Sequence, residues 1–294
     1  NATIAAGSRF CTQCGVSAVT DQSPSNGWLI GAVISVAAAV VTFSKPFALF
    51  LSNAAEFTNP IMPKEIYDQD GLRSIHYNDF MADPRFVAAY ARGVQAVGGD
   101  YKWHWRVHIG LWAAETASRR PGDFVECGTN RGFMASAIMQ RLDWSHRGKR
   151  FFLLDTFAGL DERYISGAER EEGILKKNQE LLDIGWYVKG ADSVRQNFAE
   201  WTNVVIIEGS IPETLDRIDA TQIAFLHLDM NCAPPEVEAL RYLWSRIVLG
   251  GVVLLDDYAY RGYHQQKLAL DALARELGVV IASLPTGQGL LIRT

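Results

Sequence analysis

The strongest constraint on this chain is one short stretch, Asp123–Gly132, with the sequence Asp-Phe-Val-Glu-Cys-Gly-Thr-Asn-Arg-Gly. It reads as an apolar strand that ends in an acid, followed by a glycine-bearing turn and a helix. Such a joint leaves free backbone N–H groups at the helix start, where a charged or polar ligand can bind. Gly128 and Gly132 let the backbone approach that ligand closely. Many strand–turn–helix joints carry two glycines for structural reasons alone, so both interpretations stay open on this stretch by itself.

The spacing of the turn is Glu-x-Gly-x-x-x-Gly. Dinucleotide-binding enzymes instead carry G-x-G-x-x-G, in which the second glycine lets the backbone contact the pyrophosphate. Asn130 stands at that second position here. The spacing therefore argues against a dehydrogenase.

Composition excludes some partners and compartments. The formal net charge is −5 and no basic run occurs, so nucleic acid is not expected as a partner. The four cysteines are too few for a disulfide scaffold, and a reducing compartment fits them best. We therefore expect a cytoplasmic catalytic domain.

Residues 1–60 differ in composition from the rest and form a predicted N-terminal tail. Cys11 and Cys14 make a C-x-x-C knuckle, but the chain offers no second pair to complete a zinc ribbon. A metal site and a polar tail with two thiols are both open. The apolar stretch at 27–51 has one uncharged run of 17 residues, against the roughly 20 that a membrane span needs. A membrane anchor, a buried or oligomer-facing helix, and a misassigned start remain alternatives.

The remainder divides into a helical lead-in or cap at 61–121 and a larger domain at 122–294. In the larger domain, short apolar runs alternate with helical segments, which is typical of a parallel sheet covered on both faces. We predict an α/β fold, a Rossmann-like doubly wound sheet of seven mostly parallel strands whose last strand is antiparallel, preceded by an N-terminal helical segment. The predicted strands are Phe124–Cys127, Arg150–Asp155, Val204–Glu208, Ile223–Asp229, Gly251–Asp256, Val279–Leu284 and Gly289–Arg293. The long charged stretch at 161–190 is expected to form a lid or insertion.

Five of these strands end in an acid, and these acids are Glu126, Asp155, Glu208, Asp229 and the pair Asp256-Asp257. Parallel strands place their carboxyl ends, and hence ligands, at one edge of the sheet. Carboxylates crowded at one edge repel each other, and a cationic ligand or a metal would relieve the repulsion. An acid about 25 residues after a glycine turn, as Asp155 is, can accept hydrogen bonds from ribose hydroxyls.

Asp229, Asp256 and Asp257 suit a hard divalent cation such as Mg²⁺. Consecutive strand residues point to opposite faces of the sheet. Asp256 and Asp257 can therefore reach one ion only if the chain has already turned at Asp256.

Taken together, these motifs resemble the class I S-adenosylmethionine-dependent methyltransferases, and among them the macrocin O-methyltransferase (TylF/MycF) type. The resemblance covers about residues 100–294. The motifs that carry it are Asp123–Gly132, Phe152–Leu160, Glu208–Leu215, His227–Asn231 and Gly250–Tyr258. The family methylates sugar or phenolic hydroxyls of natural products with S-adenosylmethionine and Mg²⁺, which implies the same activity and cofactors here.

The resemblance also implies roles for individual residues. The methionine part of the cofactor would be held by Glu126, Gly128, Thr129, Asn130, Arg131 and Gly132. Asp155 would bind the ribose, and Glu208, Gly209 and Ser210 would border the adenine. The metal ligands would be Asp229, Asp256 and Asp257.

One position departs from the family pattern. Members that use a carboxylate base carry an Asp two residues after the first metal ligand, and this chain has Asn231 there. An amide cannot accept a proton at neutral pH. Loss of the base is tolerable if the metal beside Asp229 or a histidine takes over, and His264 is the leading candidate.

The sequence therefore predicts an O-methyltransferase that acts on a hydroxyl of a small or sugar-containing molecule. The alternative is a non-catalytic or metal-independent cofactor-binding module, tethered by its N-terminal segment. A homo-oligomer is open, and the acceptor is not readable from the sequence.

Overall fold

The computed structural model describes residues 9–10, 17–18 and 66–294. The chain divides into two compact units, Asn1–Met62 and Pro63–Thr294. In the first unit the described residues pair as a short antiparallel ladder, Arg9–Phe10 against Ser17–Ala18.

Two expectations concern residues outside the described ones. Cys11 and Cys14 lie there, and so does the apolar stretch at 27–51, so their interpretations stay predictions. Among the described helices, no segment combines the length and the hydropathy that crossing a membrane requires.

The second unit opens with a hairpin, Tyr67–Gln69 paired with Leu72–Ser74. Eight α-helices follow in the described part: α1 (Pro84–Val97), α2 (His104–Ala117), α3 (Phe133–Leu142), α4 (Gly167–Glu171), α5 (Ile174–Asp183), α6 (Asp192–Asn197), α7 (Ala233–Leu243) and α8 (His264–Leu277). The strands of the main sheet are β1 (Asp123–Cys127), β2 (Phe151–Asp155), β3 (Val204–Glu208), β4 (Ile223–Leu228), β5 (Ile247–Leu255), β6 (Ala282–Ser283) and β7 (Gly289–Ile292).

The seven strands lie in the order β6-β7-β5-β4-β1-β2-β3. Strands β1 to β5 pair in parallel, whereas β7 runs antiparallel to both β5 and β6. The predicted sheet with its antiparallel last strand is confirmed. Because β1 lies between β2 and β4, the chain changes winding direction there, and the carboxyl ends of β1 and β4 flank a crevice.

Local details differ from the prediction. The expected strand at Val279–Leu284 is only the two-residue β6. The alternation of strands and helices in the sequence also predicts a helix at Pro212–Arg217, and this prediction is wrong, because these residues form a single 3₁₀ turn at Leu215–Arg217. The Thr214 hydroxyl donates to the carbonyl of Ser210 at 3.1 Å, a local side-chain hydrogen bond that competes with regular helix. The stretch at 161–190 carries a 3₁₀ turn, α4 and α5.

The core lies on both faces of the sheet. One apolar cluster joins α1, α2 and α3 to residues such as Phe124 and Phe225, and a second joins α7 and α8 to the opposite face. Every residue of β4 is buried, as expected for a central parallel strand. This rigid support fixes the strand ends that form the site.

Trp144 is fully buried and its ring lies 5.0 Å from that of Phe124 and 5.3 Å from that of Phe151. We expect Trp144→Ala to lower the free energy of unfolding by about 3–5 kcal/mol, because it leaves a large cavity. Trp112, which is 46% exposed, is the matched control, and its replacement by Ala should cost about 0.5 kcal/mol or less. Urea denaturation followed by circular dichroism measures both, and equal losses would contradict the packing described here.

Candidate functional site

A cavity of about 360 Å³ lies at the carboxyl edge of the sheet. Its walls come from the ends of β1, β2, β4 and β5, from the start of α2 and from the stretch 161–190. Charged and polar groups on these walls include Arg106, Glu126, Asp155, Lys177, His227, Asp229, Asn231, Asp256 and Asp257.

The glycine turn after β1 is fixed by the protein itself. Gly128 has φ of 91°, and a Cβ there would lie 1.9 Å from the carbonyl oxygen of Asp229. Gly132, the N-cap of α3, has φ of 86°, and its Cβ would lie 2.5 Å from the Phe198 ring. Internal packing thus suffices to require both glycines, whichever ligand binds beside them.

Asp155 and Asn130 join the turn to the stretch above it. One oxygen of Asp155 accepts from the backbone N–H of Asn130 at 2.7 Å, and the other accepts from Phe157 at 2.7 Å. The Asn130 side chain donates to the carbonyl of Trp186 at 3.1 Å and accepts from the Val188 N–H at 2.9 Å. Burial raises the pKa of Asp155 despite these hydrogen bonds. The turn and the segment around residue 187 are therefore held as one wall.

A buried histidine joins two acids. Nδ1 of His227 lies 2.9 Å from Oε1 of Glu126, and its Nε2 lies 3.6 Å from Oδ1 of Asp256. Burial disfavours the charged imidazole, but the carboxylates of Asp256 and Glu126 outweigh it and raise the pKa of His227 to about 10. The ring is thus an imidazolium. Among residues 66–294, the second oxygen of Glu126 has no hydrogen-bond partner, and Glu126 lines the cavity.

Arg106, on α2, is the second buried cation, with 3% of its side chain exposed. Its guanidinium donates to Oδ2 of Asp256 at 2.5 Å and to Oδ2 of Asp70, in the hairpin, at 3.2 Å. It also lies 3.7 Å from Oδ1 of Asp257. Burial opposes ionisation of Asp256, yet Arg106 and His227 hold its pKa well below the ordinary value. The chain itself thus supplies a cation for one of its crowded carboxylates, Asp256.

Asn231 lies between two carboxylates. Its Nδ2 is 3.0 Å from Oδ1 of Asp229 and 3.0 Å from Oδ2 of Asp257, so one amide group donates to both. Its Oδ1 accepts from the hydroxyls of Tyr187 at 2.8 Å and Tyr263 at 3.1 Å. Burial and the nearby Asp256 charge raise the pKa of Asp229 well above its ordinary value and that of Asp257 to about 7.

The donor set allows a test of the predicted metal site. Strand β5 ends at Leu255, so the chain has already turned at Asp256. The alternation of side chains along a strand therefore does not prevent Asp256 and Asp257 from facing the same cluster. Ligand atoms of His227, Asp229 and Asp256 lie within 4.8 Å of one another. However, Nδ1 of His227 already bonds Glu126 at 2.9 Å, and Asp256 is already bonded by Arg106 and by Gln288 at 2.9 Å. Asp229 and Asp257, whose pKa values are raised by burial and by the neighbouring carboxylate of Asp256, fit a hard cation.

The other predicted residues are divided between the cavity and the surface. Thr129, Arg131, Gly209 and Ser210 line the cavity. Glu208 is exposed and accepts from Arg195 at 2.9 Å. His264 begins α8 with 62% of its side chain exposed, and its Nε2 lies 3.3 Å from Glu172. The structure does not bring Glu208 or His264 to the cavity.

Three contributors were missed by the sequence reasoning: Arg106, Lys177 and Tyr187. None belongs to a strand end or a spaced motif. The sequence does carry a signal for the hairpin that contains Asp70, because the dipeptide Asp70-Gly71 favours a tight turn between two short strands. Asp70 and Gly71 have φ of 51° and 71°, as such a turn requires.

Comparison with known proteins identifies the family. The family model described as Macrocin-O-methyltransferase (TylF) matches residues 113–274. The chain belongs to this family. The resemblance noted in the sequence is confirmed.

Two curated relatives come from Streptomyces. The 8-demethyl-8-(2,3-dimethoxy-alpha-L-rhamnosyl)-tetracenomycin-C 4'-O-methyltransferase of Streptomyces olivaceus is 30% identical over 147 residues, which are 47% of this chain and 54% of that protein. The demethyldecarbamoylnovobiocin O-methyltransferase of Streptomyces niveus is 26% identical over 188 residues, 58% of this chain and 69% of that protein. The match thus spans about half the length of the first relative.

Among solved structures, the O-methyltransferase NovP superposes with a TM-score of 0.58 at 18% identity. The superposition covers 74% of this chain and 99% of NovP. At this identity the likeness concerns the fold alone.

We expect Arg106→Met to destabilise the protein by about 3–5 kcal/mol, because it removes the buried guanidinium that is paired with the carboxylates of Asp256 and Asp70. Arg73→Met is the control, since Arg73 pairs with Asp68 at 3.9 Å on the surface and should change stability by about 1 kcal/mol or less. Thermal and urea unfolding measure the difference. A loss in Arg106→Met as small as that of the control would contradict a central role for the buried pair.

Proposed function

We propose that the chain is an S-adenosylmethionine-dependent O-methyltransferase that methylates a hydroxyl of a small or sugar-containing molecule. Family membership supports the reaction class. The observation that supports S-adenosylmethionine as the cofactor is a buried oxygen of Glu126, at the cavity wall beside the glycine turn, that has no hydrogen-bond partner in the part of the chain that the structure describes. A buried carboxylate oxygen without a donor requires one, and the ammonium of a methionine moiety is such a donor.

The remaining cofactor contacts follow from the walls of the cavity. Oδ1 of Asp155 accepts from the Phe157 N–H and the Thr156 hydroxyl, whereas Oδ2 accepts from the Asn130 N–H and can also accept from a ribose hydroxyl. The turn Thr129–Gly132 would enclose the methionine part, and Gly209 with Ser210 would border the adenine. Glu208 contributes the backbone before Gly209 while its side chain faces Arg195.

The acceptor class is inferred from the relatives. One is named for the 4'-hydroxyl of a rhamnosyl tetracenomycin and the other for demethyldecarbamoylnovobiocin. Aromatic side chains line the cavity where an acceptor would enter, and Tyr101 stacks on Trp186 with ring centroids 4.3 Å apart. Flat, apolar faces of this kind suit a sugar ring or a polyketide ring.

Methyl transfer from a sulfonium to oxygen is an in-line displacement, so the enzyme must align donor and acceptor and exclude water. The segment 161–190 supplies the cover. Mg²⁺, held by Asp229 and Asp257 beside the Arg106-bound Asp256, would supply a Lewis acid that lowers the pKa of the acceptor hydroxyl. Asn231 orients the two carboxylates through its shared amide and does not take the proton.

S-adenosylhomocysteine should bind, and Glu126→Gln should weaken it by about tenfold or more, because the charge-assisted hydrogen bond to the ligand ammonium is lost. Glu208→Gln, at an exposed position on the next strand but one, should bind as the wild type does. Isothermal titration calorimetry measures the dissociation constants, with melting curves to check folding. Equal affinities in all three proteins would place the cofactor elsewhere.

Methyl transfer is expected with S-adenosylmethionine, and the rate should fall when EDTA is added and recover with Mg²⁺. The acceptor panel comprises methyl α-L-rhamnopyranoside, a rhamnosyl tetracenomycin and demethyldecarbamoylnovobiocin, with mass spectrometry detecting the added methyl group. Asp229→Asn should lose about 10–100-fold in rate and its response to Mg²⁺, whereas Asp216→Asn, at an exposed position, should lose neither. Cofactor binding without transfer to any acceptor would favour the non-catalytic module, and a rate insensitive to EDTA would rule out the metal.

A further inference from the structure

Lys177 reaches the cavity from α5. Its Nζ donates a hydrogen bond to the hydroxyl of Tyr263, the residue just before α8, and lies 3.8 Å from the centroid of that ring. The Tyr263 hydroxyl in turn donates to Oδ1 of Asn231 at 3.1 Å. Lys177, Tyr263 and Asn231 thus form one chain of hydrogen bonds that ends between the carboxylates of Asp229 and Asp257.

The acids away from this chain are engaged elsewhere. Asp161 accepts from Arg163 and from the hydroxyl of Ser210, which lowers its pKa and makes it a weak base. Asp155 accepts two backbone amides, and Glu126 pairs with the His227 imidazolium.

The hydroxyl and thiol groups on the cavity wall hold their protons. Burial raises the pKa of Tyr187, of Tyr263 and of the Cys232 thiol. Lys177 differs from all of these, because an amine that loses its proton becomes an uncharged base and gains from a dry environment.

We propose that Lys177, oriented by Tyr263, accepts the proton of the acceptor hydroxyl, the task for which Asn231 is unsuited. This inference rests on the proposed methyltransferase function and names the proton acceptor of that same site. Lys177 would be a catalytic residue and Tyr263 a positioning residue.

The surroundings of Lys177 act on its pKa in both directions. Burial lowers its pKa, and the carboxylate of Asp257 opposes part of that effect. A cavity of about 60 Å³ on the other side of Lys177 is lined in part by Glu169 and Glu172. A sulfonium bound nearby adds a like charge and lowers the pKa of the amine further.

The step balances in atoms and electrons. A lone pair of the acceptor oxygen forms the new O–C bond, and the S–C bond breaks with its electron pair remaining on sulfur. The sulfonium becomes a neutral thioether. The hydroxyl proton moves to Nζ of Lys177, and the resulting ammonium releases it to solvent.

Two substitutions separate a base from a positive charge. Lys177→Met and Lys177→Arg should both lower the methyl-transfer rate by about 100-fold or more, because a guanidinium does not lose its proton. S-adenosylhomocysteine affinity should stay as in the wild type. Lys176→Met, one residue earlier with 84% of its side chain exposed, is the control and should keep the full rate. Rates are measured against pH with the acceptor of the panel that the wild type methylates fastest, and the rising limb of the wild-type profile should be absent from both variants.

A second readout requires no acceptor. Competitive labelling with acetic anhydride, followed by peptide mass spectrometry across a pH series, reports the pKa of individual lysines. Lys177 should titrate below Lys176, and more so with bound sinefungin, which carries a cationic amine, than with S-adenosylhomocysteine.

Two results would overturn the proposal. One is an ordinary labelling pKa for Lys177, and the other is full activity in Lys177→Arg, which would show that only the positive charge matters and would point to Asp229 or Asp257 as the base. Failure of the proposed function has a different signature, in which the cofactor binds, no acceptor is methylated, and the labelling result is unaffected.

Discussion

The ion pair between Arg106 and Asp256 is the interaction on which the site depends. It joins α2 to the turn after β5. Arg106 also bonds Asp70, so the hairpin at Tyr67–Ser74 is held at the same point. Removing two charges from water is costly, and only close contacts and further hydrogen bonds offset that cost. Here the guanidinium also donates to the backbone oxygen of Asp256 at 3.0 Å, and its planar shape suits several acceptors at once. With the His227 imidazolium on its other side, Asp256 stays charged, and the repulsion at this edge falls on Asp229 and Asp257.

Much of the fold was readable from the sequence because parallel strands with short apolar runs leave few alternatives. The sequence alone places the acids at the ends of β1, β2, β4 and β5 together, since parallel strands end at one edge of the sheet. Arg106 and Lys177 could not be found in this way. Arg106 lies 150 residues from Asp256 in the chain, and Lys177 lies on a helix outside the strand–helix alternation. Only the packing of α2 and α5 over the edge brings them there. Glu208 shows that a strand-end acid need not lie in the site. It is the last residue of the outermost strand, β3, and its side chain pairs with the exposed Arg195 and does not line the cavity.

The glycine turn illustrates how one sequence feature can have two sufficient causes. Its spacing fits a ligand-binding turn, yet a side chain at Gly128 would also collide with the backbone of Asp229, which directly follows the neighbouring strand β4. The close approach of β1 and β4 is what opens the crevice at the switch in winding. The constraint that shapes the glycine therefore also shapes the place where a cofactor can lie, and the two interpretations are consequences of the same geometry.

The amide at position 231 redistributes the chemistry of the edge. A carboxylate there would add a further negative charge beside Asp229 and Asp257, whose pKa values are already raised. An amide instead donates to both and accepts from two tyrosines, so it satisfies its neighbours without charge. The amide avoids this extra charge, but it cannot accept a proton as a carboxylate would. Its oxygen accepts from the Tyr263 hydroxyl, which in turn accepts from Lys177. Asn231 and Lys177 are thus best understood together. The amide at position 231 does not act as a base, but it is connected through the hydroxyl of Tyr263 to the amine of Lys177.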